Sequence, residues 1–250
     1  MRKLALAVLG AAALALGSAS AADEPKLPVE HWSFDGIRGT YDRAALQRGF
    51  QVYKEVCSVC HAVQYLYYRD LGDLGFSPEE VKALAAQAQV NDLNDQGETI
   101  QRPGRPSDPI VRPYPNDLAA RAALNGALPP DLSLITKARE GGPDYVFALL
   151  NGYVPPPASV KIAEGLNYNL YFPGHQIAMP PPLNEGAVTF ADNTPSTVKQ
   201  MAHDVTTFLS WAAEPSLETR HYTGVKVMAF LLVCAGLFYA VKRKVWAEIH

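Results

Sequence analysis

The 250-residue sequence predicts a mainly α-helical domain with long loop insertions, followed by one C-terminal transmembrane helix. Three features predict it. Apolar residues recur at helical spacing in separate blocks, and 20 prolines break the chain between those blocks. A continuous apolar stretch with a basic flank lies near the C-terminus. Composition narrows the class. A hydrophobic share of 48% excludes a disordered chain, and three cysteines exclude a disulfide scaffold. A mean hydropathy of −0.06 excludes a polytopic membrane protein. A formal charge of −3 argues against nucleic acid as the main partner.

Residues 1–21 read as a cleaved signal peptide: Arg2-Lys3, an apolar run from Leu4 to Leu16, then Gly17-Ser18-Ala19-Ser20-Ala21. The run is too short to span a bilayer. The first helix of the domain fits Asp42–Val56, with Leu46, Phe50, Tyr53 and Cys57 on one face. Gly49 interrupts it, which implies close packing against another element. Ser77-Pro78-Glu79-Glu80 is a capping box that opens an Ala-rich helix to about Val90. Asn91–Pro115 carries five prolines and reads as a surface loop. Asn116 caps a short helix ending at Gly126, and Pro143–Asn151 forms another. Gly152–Asn193 reads mostly as loop. A last helix of the domain spans Thr194–Ala213, its stripe formed by Val198, Met201, Val205, Phe208 and Leu209, and Pro215 stops it.

Tyr222–Val241 is 20 residues long with one charge, Lys226, near its edge. That is about the length a bilayer requires. Lys242-Arg243-Lys244 follow, so the positive-inside rule puts the membrane helix at 222–242, the tail 243–250 inside and residues 22–221 outside. Residues 22–221 keep 16 of the 22 basic and 24 of the 25 acidic residues, a charge near −8. Such a domain attracts basic soluble partners in a salt-dependent way.

Cys57-Ser58-Val59-Cys60-His61 closes the first helix. Two thiols at this spacing can add to the two vinyl groups of haem, and the adjacent imidazole can ligate the iron. A structural zinc site needs four ligands, yet Cys234 is the one other cysteine and sits in the membrane helix. A thioredoxin-type pair expects a βαβ setting, which is not visible, and a plain disulfide leaves His61 without a role. One covalently attached haem c is the expectation. For the sixth ligand, Met201 falls on a core stripe and Met228 in the membrane. Met179 sits in the stiff segment Ala178-Met179-Pro180-Pro181-Pro182 and is favoured; His175 remains the rival. His31, His203 and His221 read as surface residues.

Gly49-x-x-x-Tyr53-x-x-x-Cys57-x-x-Cys60-His61 resembles the opening of class I cytochromes c, in which a glycine lets the first helix cross the last. Further segments resemble the cytochrome c1 family of bacterial type: Arg102-Pro103-Gly104, Pro113-Tyr114-Pro115-Asn116, Asn125-Gly126-Ala127-Leu128-Pro129-Pro130, Gly141-Gly142-Pro143-Asp144-Tyr145, Tyr171-Phe172-Pro173-Gly174 and Trp211-Ala212-Ala213-Glu214-Pro215. The match covers roughly residues 31–250. The resemblance implies a class I cytochrome c-like haem domain in the periplasm, anchored in the bacterial inner membrane.

It also implies the haem subunit of the ubiquinol–cytochrome c reductase (cytochrome bc1) complex, a dimer containing cytochrome b and the Rieske iron–sulfur subunit. The chain would carry electrons from the Rieske subunit to a soluble or anchored cytochrome c, with no bond chemistry of its own. The alternative is a free-standing anchored shuttle that feeds a terminal oxidase. By the same resemblance Cys57 and Cys60 form thioethers, His61 and Met179 are axial, the Pro129 carbonyl accepts from the His61 ring, and Arg139 and Tyr145 contact a haem propionate. One departure is Leu124-Asn125, where family members often carry Asn-Asn.

Overall fold

A computed structural model describes residues 25–247; the expected signal peptide and residues 248–250 lie outside them. The first helix, α1 (Arg43–Glu55), starts at Asp42, whose carboxylate accepts from the Ala44 and Ala45 N–H groups. It buries Leu46, Phe50 and Tyr53 of the face read from its periodicity, and Val52 besides. A 3-10 turn (Cys57–Val59) follows, then a 3-10 helix (Tyr68–Leu74) and α2 (Pro78–Ala86), which has the expected Ser77/Glu80 capping box.

Residues 89–103 differ from the expected surface loop. They form an antiparallel hairpin of β1 (Gln89–Leu93) and β2 (Thr99–Pro103), Gln89 facing Pro103. Its turn uses Gly97 at φ 80 and the Asn94 side chain, which accepts from the Gln96 and Glu98 N–H groups. Arg102 ties the hairpin to Asp92 at 2.5 Å and to Asp108 at 2.6 Å. The hairpin also explains why α2 stops at Ala86, short of the expected Val90: Val90 is strand.

Three short helices come next: α3 (Asp117–Ala123), capped by Asn116, α4 (Ile135–Ala138) and α5 (Gly142–Asn151). The expected loop 152–193 contains a two-residue ladder, β3 (Asn167–Tyr168) against β4 (Gln176–Ile177). The last helix of the domain, α6 (Val198–Ala213), begins at Val198 rather than Thr194, because the Thr197 hydroxyl caps it.

The core forms where α1 crosses α6. Phe50, Tyr53, Phe208, Trp211 and Met201 are all buried there, with ring centroids 5.6–5.7 Å apart for Tyr53–Phe208 and Phe50–Phe208. Trp32 covers one end. Its indole N–H donates to Asp144 at 2.8 Å, and its ring stacks on His203 with centroids 5.0 Å apart. His203 thus packs against Trp32 while its side chain stays 32% exposed. Met201 lies on the core stripe, as its spacing indicated.

The helix that carries the apolar segment begins before that segment does. α7 (Leu217–Trp246) is a single 30-residue helix, long and apolar enough to cross a bilayer. Three residues, Glu214-Pro215-Ser216, separate it from α6. Its polar first turns are bonded to the domain: Glu218 pairs with Arg43 at 2.7 Å and accepts from the Tyr41 N–H, and the His221 ring donates to Gly39 O at 3.2 Å. Glu214 in the connection pairs with Lys137 and Arg220. From Tyr222 to Trp246 the large apolar side chains are exposed.

Candidate functional site

The turn after α1 folds back on itself. The Cys57 carbonyl accepts from the Cys60 N–H at 3.1 Å and the His61 N–H at 2.8 Å, which gathers the motif into one turn. Both cysteines are free, half-buried thiols. Burial, and the neighbouring Cys60, push the Cys57 thiol up to about 12. The Tyr53 hydroxyl donates to His61 O at 3.1 Å, tying the turn to α1.

The His61 ring is oriented by a backbone carbonyl. Nδ1 lies 2.8 Å from Pro130 O. A carbonyl can only accept, so Nδ1 carries the proton and Nε2 keeps its lone pair. Burial lowers the imidazole pKa, opposed by the Pro130 bond and by Asp131, which favours the neutral ligating form. Pro130 is itself held in place. Leu132 N–H donates to Ala62 O at 2.8 Å, Gln64 N–H to Asp131 at 2.9 Å and Tyr65 N–H to Ser133 Oγ at 3.2 Å. The acceptor is Pro130, not Pro129 as the resemblance implied; Pro129 lines the adjacent cleft. Adjacent carbonyls in an extended Pro-Pro segment point in different directions, so one residue decides which faces the ring.

That cleft has a volume of about 420 Å³ and opens beside Cys60; Pro113, Leu128 and Pro129 form part of its wall, and the polar Gln64, Arg112 and Asp131 form another part. Two thiols and an imidazole with a free Nε2 form a donor set that fits a covalently held haem. Among the described residues no group of three or more His, Cys, Asp and Glu side chains is arranged to hold a bare metal ion, as a structural zinc site requires.

Met179 stands on a separate platform and is half-buried. Its carbonyl accepts from the Tyr153 hydroxyl at 3.0 Å and, more weakly, from Asn167 Nδ2 at 3.4 Å. The platform is organised by Asn169, which is fully buried. Its amide donates to Leu149 O at 2.8 Å, and its Oδ1 accepts from the Tyr171 and Phe172 N–H groups at 3.0 and 3.2 Å. His175 has a left-handed backbone (φ 59), stacks on Tyr168 and keeps a buried Nδ1 without a partner among the described residues.

Arg139 is exposed at the end of α4, and Tyr145 is half-buried on α5. Burial raises the Tyr145 phenol while Arg139 draws it down, and Tyr145 in turn helps burial raise Tyr153. Cys60, Pro129 and Pro130 line one cleft, and Cys57 and His61 share the turn of Cys60. Arg139 at the end of α4 and Tyr145 on α5 are not among the residues lining that cleft. Tyr153, Asn167 and Asn169 were missed in the sequence because a tyrosine and two asparagines in a Pro/Gly/Asn-rich stretch look like ordinary loop residues.

Comparison with known proteins bears on the same residues. A family model described as the Cytochrome C1 family matches residues 32–249. The chain is 45% identical over 255 residues to cytochrome c1 of Rhodospirillum rubrum, covering 94% of each. It is 49% identical over 254 residues to a mitochondrial cytochrome c1 heme protein of Arabidopsis thaliana, covering 98% of this chain and 82% of that one. Against the cytochrome b/c1 of Bradyrhizobium diazoefficiens it is 47% identical over 274 residues, 99% of this chain but 40% of the longer protein. With a match running from Trp32 through the Cys-x-x-Cys-His turn to the end of the membrane helix, the chain belongs to the cytochrome c1 family.

Proposed function

We propose that this chain is the membrane-anchored haem subunit of a ubiquinol–cytochrome c reductase complex. It accepts single electrons from a Rieske iron–sulfur subunit and passes them to a soluble or anchored cytochrome c. The observation that carries the reading is the His61 ring, fixed through Pro130 O at 2.8 Å on the same turn as two free thiols. Cys57 and Cys60 would hold one haem c covalently, and His61 and Met179 would ligate its iron. The bound group supplies one-electron exchange between ferric and ferrous iron, and His/Met ligation sets it at high potential.

The chain's own residues have three tasks. Pro130 O keeps the proton on Nδ1, so that Nε2 remains a ligand and its basicity is tuned from behind. Pro113, Leu128 and Pro129 would offer apolar surface to the haem in a cleft whose other walls, Gln64, Arg112 and Asp131, are polar. The charge near −8 on residues 22–221 steers a basic partner to the surface. This domain lies in the periplasm of a bacterial inner membrane with the C-terminus inside, as Lys242-Arg243-Lys244 indicate. The complex is dimeric and includes cytochrome b.

The rival is a free-standing shuttle feeding a terminal oxidase. A shuttle requires a flexible tether, and a flexible tether requires many unrestrained residues. Here α6 and α7 are separated by three residues, and Arg43, Tyr41, Gly39 and Lys137 bond to the connection and to the first turns of α7. That supports a haem domain fixed over its anchor. Purification in mild detergent decides between the two: a fixed subunit retains cytochrome b and the Rieske protein, whereas a shuttle runs alone.

A further inference from the structure

Two tyrosine hydroxyls bond to the peptide carbonyls of the two proposed axial ligands: Tyr53 to His61 O at 3.1 Å and Tyr153 to Met179 O at 3.0 Å. The two positions are not equivalent. His61 has a second anchor, the ring bond to Pro130. Met179 has none, because a thioether is a flexible, weakly accepting group. Its side chain can be aimed only through the backbone that carries it.

That backbone is held from both sides. Pro180, Pro181 and Pro182 fix φ beyond Met179 and contribute no N–H. Before it, Ile177 is paired with Asn167 in the β3–β4 ladder. Between these two restraints the Met179 carbonyl points at the Tyr153 hydroxyl, with Asn167 Nδ2 as a longer second donor. Tyr153 is placed by its bridge to Asn169, just beyond α5. Burial keeps its phenol protonated, so it remains a donor.

We infer that Tyr153, with Asn167 as the weaker partner, is a positioning residue that aims the Met179 thioether at the haem iron. The inference rests on Met179 being the ligand, as proposed above. Loss of the hydroxyl frees the carbonyl, loosens the Ala178–Pro180 peptide and lets an added ligand displace the thioether more easily. No change in covalent haem attachment follows, since Cys57 and Cys60 lie on another segment.

The test is an imidazole titration of the ferric protein in the purified, detergent-solubilised complex. It is followed by the thioether-to-iron charge-transfer band at the red edge of the visible spectrum. Tyr153→Phe should show the band but bind imidazole roughly three- to tenfold more tightly, the factor one neutral hydrogen bond supplies. Asn167→Leu should move the same way by less. Imidazole affinity equal to the native protein's in Tyr153→Phe overturns the inference, even if the melting temperature falls, because a purely structural role lowers stability alone. If Tyr153→Phe does not assemble, Asn167→Leu decides: a tighter imidazole constant supports the inference and an unchanged one overturns it. Met179→Leu separates the two readings, since a band that survives there refutes Met179 as ligand.

Discussion

Gly49 offers the sharpest test of how the fold presents the site. A Cβ placed there would lie 2.0 Å from Asp204 O, 2.6 Å from Asp204 C and 2.8 Å from Phe208 Cβ. These are backbone or β-carbon atoms, so no rotamer change relieves the clash. Reaching an ordinary 3.4 Å contact requires α1 and α6 to separate by about 1.4 Å along that line. The separation opens the interface between Phe50, Tyr53 and Phe208 and stretches the Arg48–Asp204 pair, now 2.7 Å long.

Overpacking of this kind costs typically 1–3 kcal/mol, and the rigid neighbours put Gly49→Ala near ~3. Ala returns about 1 kcal/mol through helix propensity, leaving a net loss of about 2 kcal/mol. For a chain of this size that lowers the melting temperature by roughly 4–8 °C. The assay is thermal unfolding of the native and variant complexes in one detergent, followed by circular dichroism. Gly72→Ala is the control: nothing lies within 4 Å of its Cβ position, and its expected effect is within about 0.5 kcal/mol. A melting temperature unchanged or raised in Gly49→Ala would refute the close crossing, because propensity alone acts in that direction.

Asn169→Ala removes the partner of Leu149 O and of the Tyr171 and Phe172 N–H groups, and is expected to cost about 2–4 kcal/mol. Limited proteolysis should then cut within residues 152–177 while covalent haem is retained; a native digestion pattern contradicts this. Asp108 is held down to about 2, first by its hydrogen bond to Arg102, from an ordinary 3.8. Its contribution is therefore complete above about pH 4 and lost as pH falls toward 2. Asp108→Asn should flatten the acid-unfolding curve in that window, and an unchanged slope argues against the pair. Reduction of a basic cytochrome c should slow as ionic strength rises, most steeply below about 0.15 M, where screening lengths exceed ~8 Å. A flat response removes the role given to the −8 charge.

What the sequence disclosed and what it hid have physical causes. α1, α6 and the Cys-x-x-Cys-His turn were legible because a buried stripe repeats every three to four residues and a covalent motif has fixed spacing. The 89–103 hairpin was not legible. Its strands, Gln-Val-Asn-Asp-Leu and Thr-Ile-Gln-Arg-Pro, show no sustained alternation and are held by Arg102 between two aspartates rather than by a buried face. Hydropathy marks the apolar stretch from Tyr222, whereas the start of its helix at Leu217 was hidden, because those first turns are polar and bind the domain through Glu218 and His221. Pro129 was taken for Pro130 because residue types do not encode the direction of a carbonyl. Asn169 looked like a loop residue, yet its side chain satisfies three backbone groups where no regular structure can.

The central claim is a covalently held haem with His61 and Met179 on its iron, and one measurement reaches it most directly. That measurement is a redox titration of the purified complex, followed by reduced-minus-oxidised spectra, with Met179→Leu alongside. A c-type spectrum that survives denaturation, a high midpoint potential in the native chain and a markedly lower one in Met179→Leu are the predicted result. An equal potential in both proteins would contradict the account.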